Sequence, residues 1–232
     1  MRTVIFDVDD TLYDQLIPFQ RAAEKHLEVP HERMEEFYLT SRKIADALFH
    51  LSESGAMAMD DMQVYRIQRA CEAFGSTISR EESLAFQKDY AAFQGQIELR
   101  DDMRAALDYC RQQQIQLGVI TNGPTAHQWK KVQQLGLTEW IAPENIFVSA
   151  EVGIAKPSVE IFRHAEKKLA LEQAQTLYVG DSYANDIVGA KDAGWQSVWL
   201  NYRQHQATEN PPRYDHCLTT EPLTPLLKQI FS

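Results

Sequence analysis

The chain has 232 residues, 44% of them hydrophobic and 24% charged, with a formal net charge of -10; that is long enough to bury one large domain, or one domain carrying an insertion. So acidic a chain is poorly suited to nucleic acid, whose binding rests on Lys and Arg neutralising phosphates, and no apolar run approaches the roughly 18 residues that span a bilayer. Cys71, Cys110 and Cys217 are odd in number and lack paired spacing, so they suggest neither a disulfide framework nor a zinc motif and fit a reduced, cytoplasmic compartment.

Met1-Arg2-Thr3 runs straight into Val4-Ile5-Phe6, which leaves no room for a signal peptide and reads as a buried strand ended by acid residues at Asp7. Helical stripes follow: Ile44, Ala47, Leu48 and Leu51; then Val64, Ile67, Cys71 and Phe74; then Phe86, Tyr90 and Phe93. Their spacing is that of core packing. Near Gly95 the rhythm changes to alternating strands and helices. Strands are expected at 115–120, 146–148, 176–179 and 197–200, with helices at 125–135, from Pro157, and at 184–193. A possible edge strand around 214–218 and a last helix from Leu223 close the chain, and the polar stretch 202–213 reads as a loop. Such alternation predicts an α/β fold, a parallel sheet wound on both faces by helices, with residues 15–95 inserted after the first strand.

Four expected strands stop at polar residues: Asp7-Val8-Asp9-Asp10-Thr11, Thr121-Asn122-Gly123, Ser149 with a loop reaching Lys156, and Gly180-Asp181-Ser182 leading to Asp186. Ligands bind at the carboxyl ends of strands in open parallel sheets. Asp7, Asp9, Asp181 and Asp186 would then face one small volume, and unit charges about 4 Å apart repel by roughly 4 kcal/mol at an effective dielectric of 20. A hard divalent cation is the natural counter-charge, and Mg2+ suits carboxylates, waters and a phosphate oxygen. Lys156 supplies a second cation. Tyr13 and Asp14 could face the inserted segment or make a turn; Ser182 and Asn185 could line the cation site or cap a helix.

In this order, Asp7-Val8-Asp9-Asp10-Thr11-Leu12, Thr121-Asn122-Gly123, Lys156-Pro157 and Gly180-Asp181 with Asp186 resemble the four motifs of the haloacid dehalogenase (HAD) superfamily. The resemblance implies a Rossmann-like parallel sheet forming a catalytic core, residues 1–14 and 96–232, with an α-helical cap at 15–95. It implies a magnesium-dependent phosphatase in which Asp7 attacks phosphorus and Asp9 serves as acid and then base. Asp7, Asp181, Asp186 and the Asp9 carbonyl would serve the metal; Thr121, Asn122 and Lys156 would hold the phosphoryl group. The stretches Thr121-Asn122-Gly123-Pro124 and Glu151-Val152-Gly153-Ile154-Ala155-Lys156-Pro157 are similar to those of bacterial members acting on nucleotides or small sugar phosphates. The expected partner is a small phosphorylated substrate, possibly a nucleoside monophosphate, with no nucleic acid or membrane, and the expected state is a monomer or homodimer. Alternatives are a phosphomutase, a haloacid dehalogenase, against which Asp9 argues because halide leaves without a proton, and a non-catalytic phosphate-ligand binding protein. Phe49 and Tyr65 could stack on a base, although both sit in helical stripes.

Overall fold

A computed structural model of the chain describes residues 2–53 and 55–231, with the side chains at 49, 50, 52 and 53 outside the description. The chain divides into two compact units, one formed by Met1–Asp14 with Glu98–Ser232 and the other by Gln15–Ile97.

The first unit is built on a six-stranded sheet. Its strands are β1 (Thr3–Phe6), β2 (Gln116–Thr121), β3 (Ile146–Val148), β4 (Thr176–Gly180), β5 (Gln196–Leu200) and β6 (His216–Leu218), in the order β3-β2-β1-β4-β5-β6. Every pairing is parallel, the α/β architecture expected from the alternation. Such strands are covered on both faces, so they are nearly continuous apolar runs; Val4, Ile5, Phe6, Val119, Ile120, Tyr178 and Val179 are all fully buried. In register, Phe6 lies between Val119 and Val179. The carboxyl ends of β2, β1 and β4 are therefore side by side at the place where the strand order reverses, the crevice in which doubly wound sheets bind ligands.

Three helices of the four-helix second unit carry the stripes read above. α1 (Leu16–His26), α2 (Met34–Glu53), α3 (Met59–Ala73) and α4 (Arg80–Gln94) close around Phe19, Phe37, Ile67, Cys71, Phe86 and Tyr90. Phe19 makes edge-on contacts with Tyr38, Phe86 and Tyr90 at centroid distances of 5.3, 5.4 and 5.6 Å, a favoured aromatic geometry. Ser79 and Glu82 form a reciprocal capping box that starts α4. Tyr65 is exposed and lies under Arg69; the side chain of Phe49 lies outside the described residues.

The sheet unit adds α5 (Asp101–Gln112), α6 (Thr125–Gln134), α7 (Ser149–Val152), α8 (Val159–Leu169), α9 (Val188–Asp192) and α10 (Leu223–Phe231). Three sequence expectations change. Pro157 does not open α8; Ser158 caps it by accepting from the Glu160 N–H at 3.4 Å, so Pro157 stands one residue outside. The helix expected over 184–193 begins as a wider π-type turn at Tyr183–Ile187 before α9. The edge strand narrows to three residues, β6. Helix α1, which is not among the stripes read above, turns Phe19, Ala22 and Ala23 into the core of the helical unit with Leu16 packed against it, and α7 is one short turn within the expected loop.

Candidate active site

Asp7 follows β1 directly, and its N–H still joins the sheet through the Val179 carbonyl at 2.9 Å. That bond fixes where the side chain leaves the backbone. Only 5% of Asp7 is exposed. One carboxylate oxygen accepts from Lys156 Nζ at 2.7 Å and the other from the Thr11 hydroxyl at 3.3 Å. Lys156, equally buried, divides its ammonium between Asp7, Asp186 Oδ1 at 2.7 Å and the Tyr178 hydroxyl at 2.9 Å. Tyr178 projects from β4 and its hydroxyl lies 3.0 Å from the Ile120 carbonyl.

The Lys156 loop is placed through its main chain. Asn122, the residue after β2, donates its amide to the Lys156 carbonyl and accepts from the Lys156 N–H, both at 2.9 Å. Asp186 is 1% exposed and also accepts from the Ser182 N–H at 2.9 Å. It can enter only because residue 180 is glycine: a Cβ there would lie 2.4 Å from Asp186 Oδ2. Ser182 caps the turn by accepting from the Asn185 N–H at 3.3 Å. Asp181 is tied by its carbonyl to Trp199 Nε1 at 2.7 Å.

Carboxylate oxygens of Asp7, Asp181 and Asp186 lie within 4.8 Å of one another. This trio of hard oxygen donors fits a divalent cation such as magnesium. The charge balance points the same way. Burial pushes the Asp7 carboxyl up, Lys156 pulls it down, and Asp186 and Asp9 push it up again, leaving it raised to about 7. Lys156 is held protonated: burial works against its charge, but Asp186 and Asp7 outweigh it. One shared lysine is too little positive charge for this many carboxylates, and a cation would supply the rest. Thr121, at the end of β2, is fully buried and its hydroxyl has no hydrogen-bond partner. A buried donor left over is costly, and a phosphate oxygen is an acceptor that would satisfy it.

Asp9 has a different environment. Its carboxylate accepts from Lys131 Nζ at 2.5 and 2.7 Å, from the Tyr13 hydroxyl at 2.5 Å and from Gln128 Nε2 at 3.0 Å. Burial raises its carboxyl, but the charge of Lys131 and the hydrogen bonds from Lys131, Tyr13 and Gln128 prevail and hold it well below the usual carboxylate range. Two acidic groups two residues apart are thus driven in opposite directions. Tyr13 is engaged with Asp9, while Asp14 and Asp10 pair with Arg203 at 2.6 and 2.9 Å.

The structure therefore gathers Asp7, Asp181, Asp186 and Lys156 into one cluster and joins Asn122 to its loop. Sequence reasoning missed Lys131, Gln128 and Tyr178. The first two were detectable as polar residues three apart on α6, the helix that starts immediately after the Thr121-Asn122-Gly123 strand end.

The profile of the haloacid dehalogenase-like hydrolase family matches residues 1–194. The chain is 29% identical over 212 residues to the HAD-hydrolase YfnB of Bacillus subtilis, covering 86% of this chain and 84% of that protein. It is 26% identical over 220 residues to the ribulose-1,5-bisphosphate 5-phosphatase of Halopiger xanaduensis, covering 90% and 89%. The crystal structure of YfnB bound to magnesium shares the fold, with a TM-score of 0.71 at 23% identity over 100% of this chain and 99% of that one.

Proposed function

As this chain belongs to the haloacid dehalogenase-like hydrolase family and hydrolyses phosphate monoesters, we propose that it does so through an aspartyl-phosphate on Asp7, with magnesium, on a small phosphorylated metabolite such as a sugar phosphate or nucleoside monophosphate. The observation that carries this reading is the Asp7 carboxylate, buried, paired with Lys156 at 2.7 Å and grouped with Asp181 and Asp186. Asp9 rests as a carboxylate and takes up a proton as the phosphate approaches, since a nearby like charge favours its neutral form. An Asp7 oxygen then attacks phosphorus, the phosphorus–oxygen bond to the leaving group breaks, and the leaving oxygen takes that proton from Asp9. In the second step Asp9 takes a proton from water, whose oxygen attacks the same phosphorus and frees Asp7 and inorganic phosphate. Two moderate displacements replace one hard one, and one group can serve both proton transfers because giving up its proton in the first step leaves it the base that the second step needs.

Lys156 neutralises the incoming phosphoryl group and orients Asp7, Thr121 donates its hydroxyl, and the Asn122 N–H joins it. Asp7, Asp181 and Asp186, with the Asp9 carbonyl, would hold magnesium, which when bound supplies positive charge opposite the phosphate oxygens. Electrostatic placement of this kind carries most of the rate in phosphoryl transfer. The helical unit, Gln15–Ile97, takes the role of a cap that sets substrate choice.

Phosphate release from p-nitrophenyl phosphate tests the reading. Turnover is expected with magnesium, none with EDTA, and none from Asp7→Asn. An Asp7→Asn protein that turns over at the parent rate refutes the nucleophile, and activity that survives metal removal refutes the cation.

A further inference from the structure

We propose that Lys131, with Gln128 and Tyr13, is a positioning residue that fixes the Asp9 carboxyl group for both proton transfers; this rests on the acid and base role given to Asp9 above. Both oxygens of Asp9 are engaged. Oδ1 accepts from Lys131 at 2.5 Å and Tyr13 at 2.5 Å, and Oδ2 accepts from Lys131 at 2.7 Å and Gln128 at 3.0 Å. A carboxylate gripped this way cannot turn about its Cβ–Cγ bond without breaking several contacts.

Among the described residues, Lys131 is the donor dedicated to that task. Lys131 is 4% exposed, and among the described residues its ammonium hydrogen-bonds Asp9 and no other group. Burying an ammonium is unfavourable unless it is paired, so whatever Lys131 contributes it contributes through Asp9. Gln128 is 2% exposed and shares its amide between Asp9 and the Asn122 carbonyl at 2.9 Å. Gly123 leaves room for it. Its φ is +145°, and a Cβ there would lie 2.6 Å from Gln128 Nε2. Gln128 and Lys131 stand three residues apart on α6 and so share a face. A single rigid helix therefore delivers two of the three groups that set Asp9.

A double-mutant cycle reads the claim. Lys131→Met is expected to lower kcat for p-nitrophenyl phosphate by about 10–100-fold, within the range of a general acid–base contribution, while KM moves less than about twofold. The loss is expected to be larger for glycerol phosphate, whose alkyl leaving oxygen depends more on the proton. Lys131→Arg restores part of the rate. In an Asp9→Asn background, Lys131→Met costs less than about twofold, because the group it acts through is already gone. Equal slowing by Lys131→Met with and without Asp9 overturns the proposal, as does a parent-like kcat in Lys131→Met while Asp9→Asn is impaired. Asp9→Asn turning over like the parent instead refutes the mechanism itself. Circular dichroism establishes that each variant is folded, and Gln128→Leu carries the same cycle if Lys131→Met is not.

Discussion

Replacing Lys156 by methionine removes the one ammonium that two buried carboxylates share. Asp7 and Asp186 are 5% and 1% exposed and each accepts from Lys156 at 2.7 Å. Methionine keeps most of the volume but leaves both acids without their cation, and breaking a buried pair from one side costs about 3–5 kcal/mol. For a domain of this size each kcal/mol moves Tm by about 2–4 °C, so Lys156→Met in EDTA is expected to melt roughly 6–20 °C below the parent. Trp129, Trp140, Trp195 and Trp199 all belong to the sheet unit, so tryptophan fluorescence follows the unit that carries the change. Magnesium at 100 times its dissociation constant contributes about 2.7 kcal/mol to a folded state that alone binds it. The increment is expected to be larger in the variant, where the cation also replaces the missing lysine charge. A variant melting within about 2 °C of the parent in EDTA would refute Lys156 as the counter-charge of this cluster.

Titration gives a second test. The Asp7 carboxyl is raised from 3.8 to about 7, so the folded state binds its proton more tightly than the unfolded chain does. Its stabilising contribution is full below about pH 4 and is lost as pH rises through about 7; a plot of Tm against pH in EDTA should show that loss, and Asp7→Asn should not. Magnesium binds the carboxylate form and so should flatten or reverse the slope. An unchanged slope in Asp7→Asn assigns the effect to another group. Gly180→Ala sets a Cβ 2.4 Å from an Asp186 side chain already held by Lys156 and Ser182. It should cost about 1–3 kcal/mol, as overpacking does, and weaken magnesium binding at least tenfold; calorimetric affinity within twofold of the parent would show that Asp186 can move aside.

The parallel sheet was legible because four of its strands are short apolar runs that stop at Asp7, Thr121, Ser149 and Gly180, and buried parallel strands have no other pattern to show. The strand ends also located the acid cluster, since topology alone brings β2, β1 and β4 together there. What stayed hidden depended on side chains reaching across the fold. Tyr178 reads as one more apolar strand residue, and its hydroxyl matters only because Lys156 arrives from 22 positions away in sequence. Lys131 resembles any solvated lysine until α6 is seen to turn it inward. The start of α8 was misread for a smaller reason: the serine after Pro157 caps as well as a proline opens, and local sequence does not rank the two.

Asn122 grips residue 156 by its main-chain N–H and carbonyl alone. The socket is thus blind to the side chain it seats. Exchange of the lysine would leave the loop in register, so charge at this position can be rewritten without redrawing the backbone. Asn122 itself has no such latitude, since aspartate could accept from residue 156 but could not donate back. The two residues are thus constrained differently, residue 156 by the charge its side chain must carry to Asp7 and Asp186 and residue 122 by a two-way bond to a backbone.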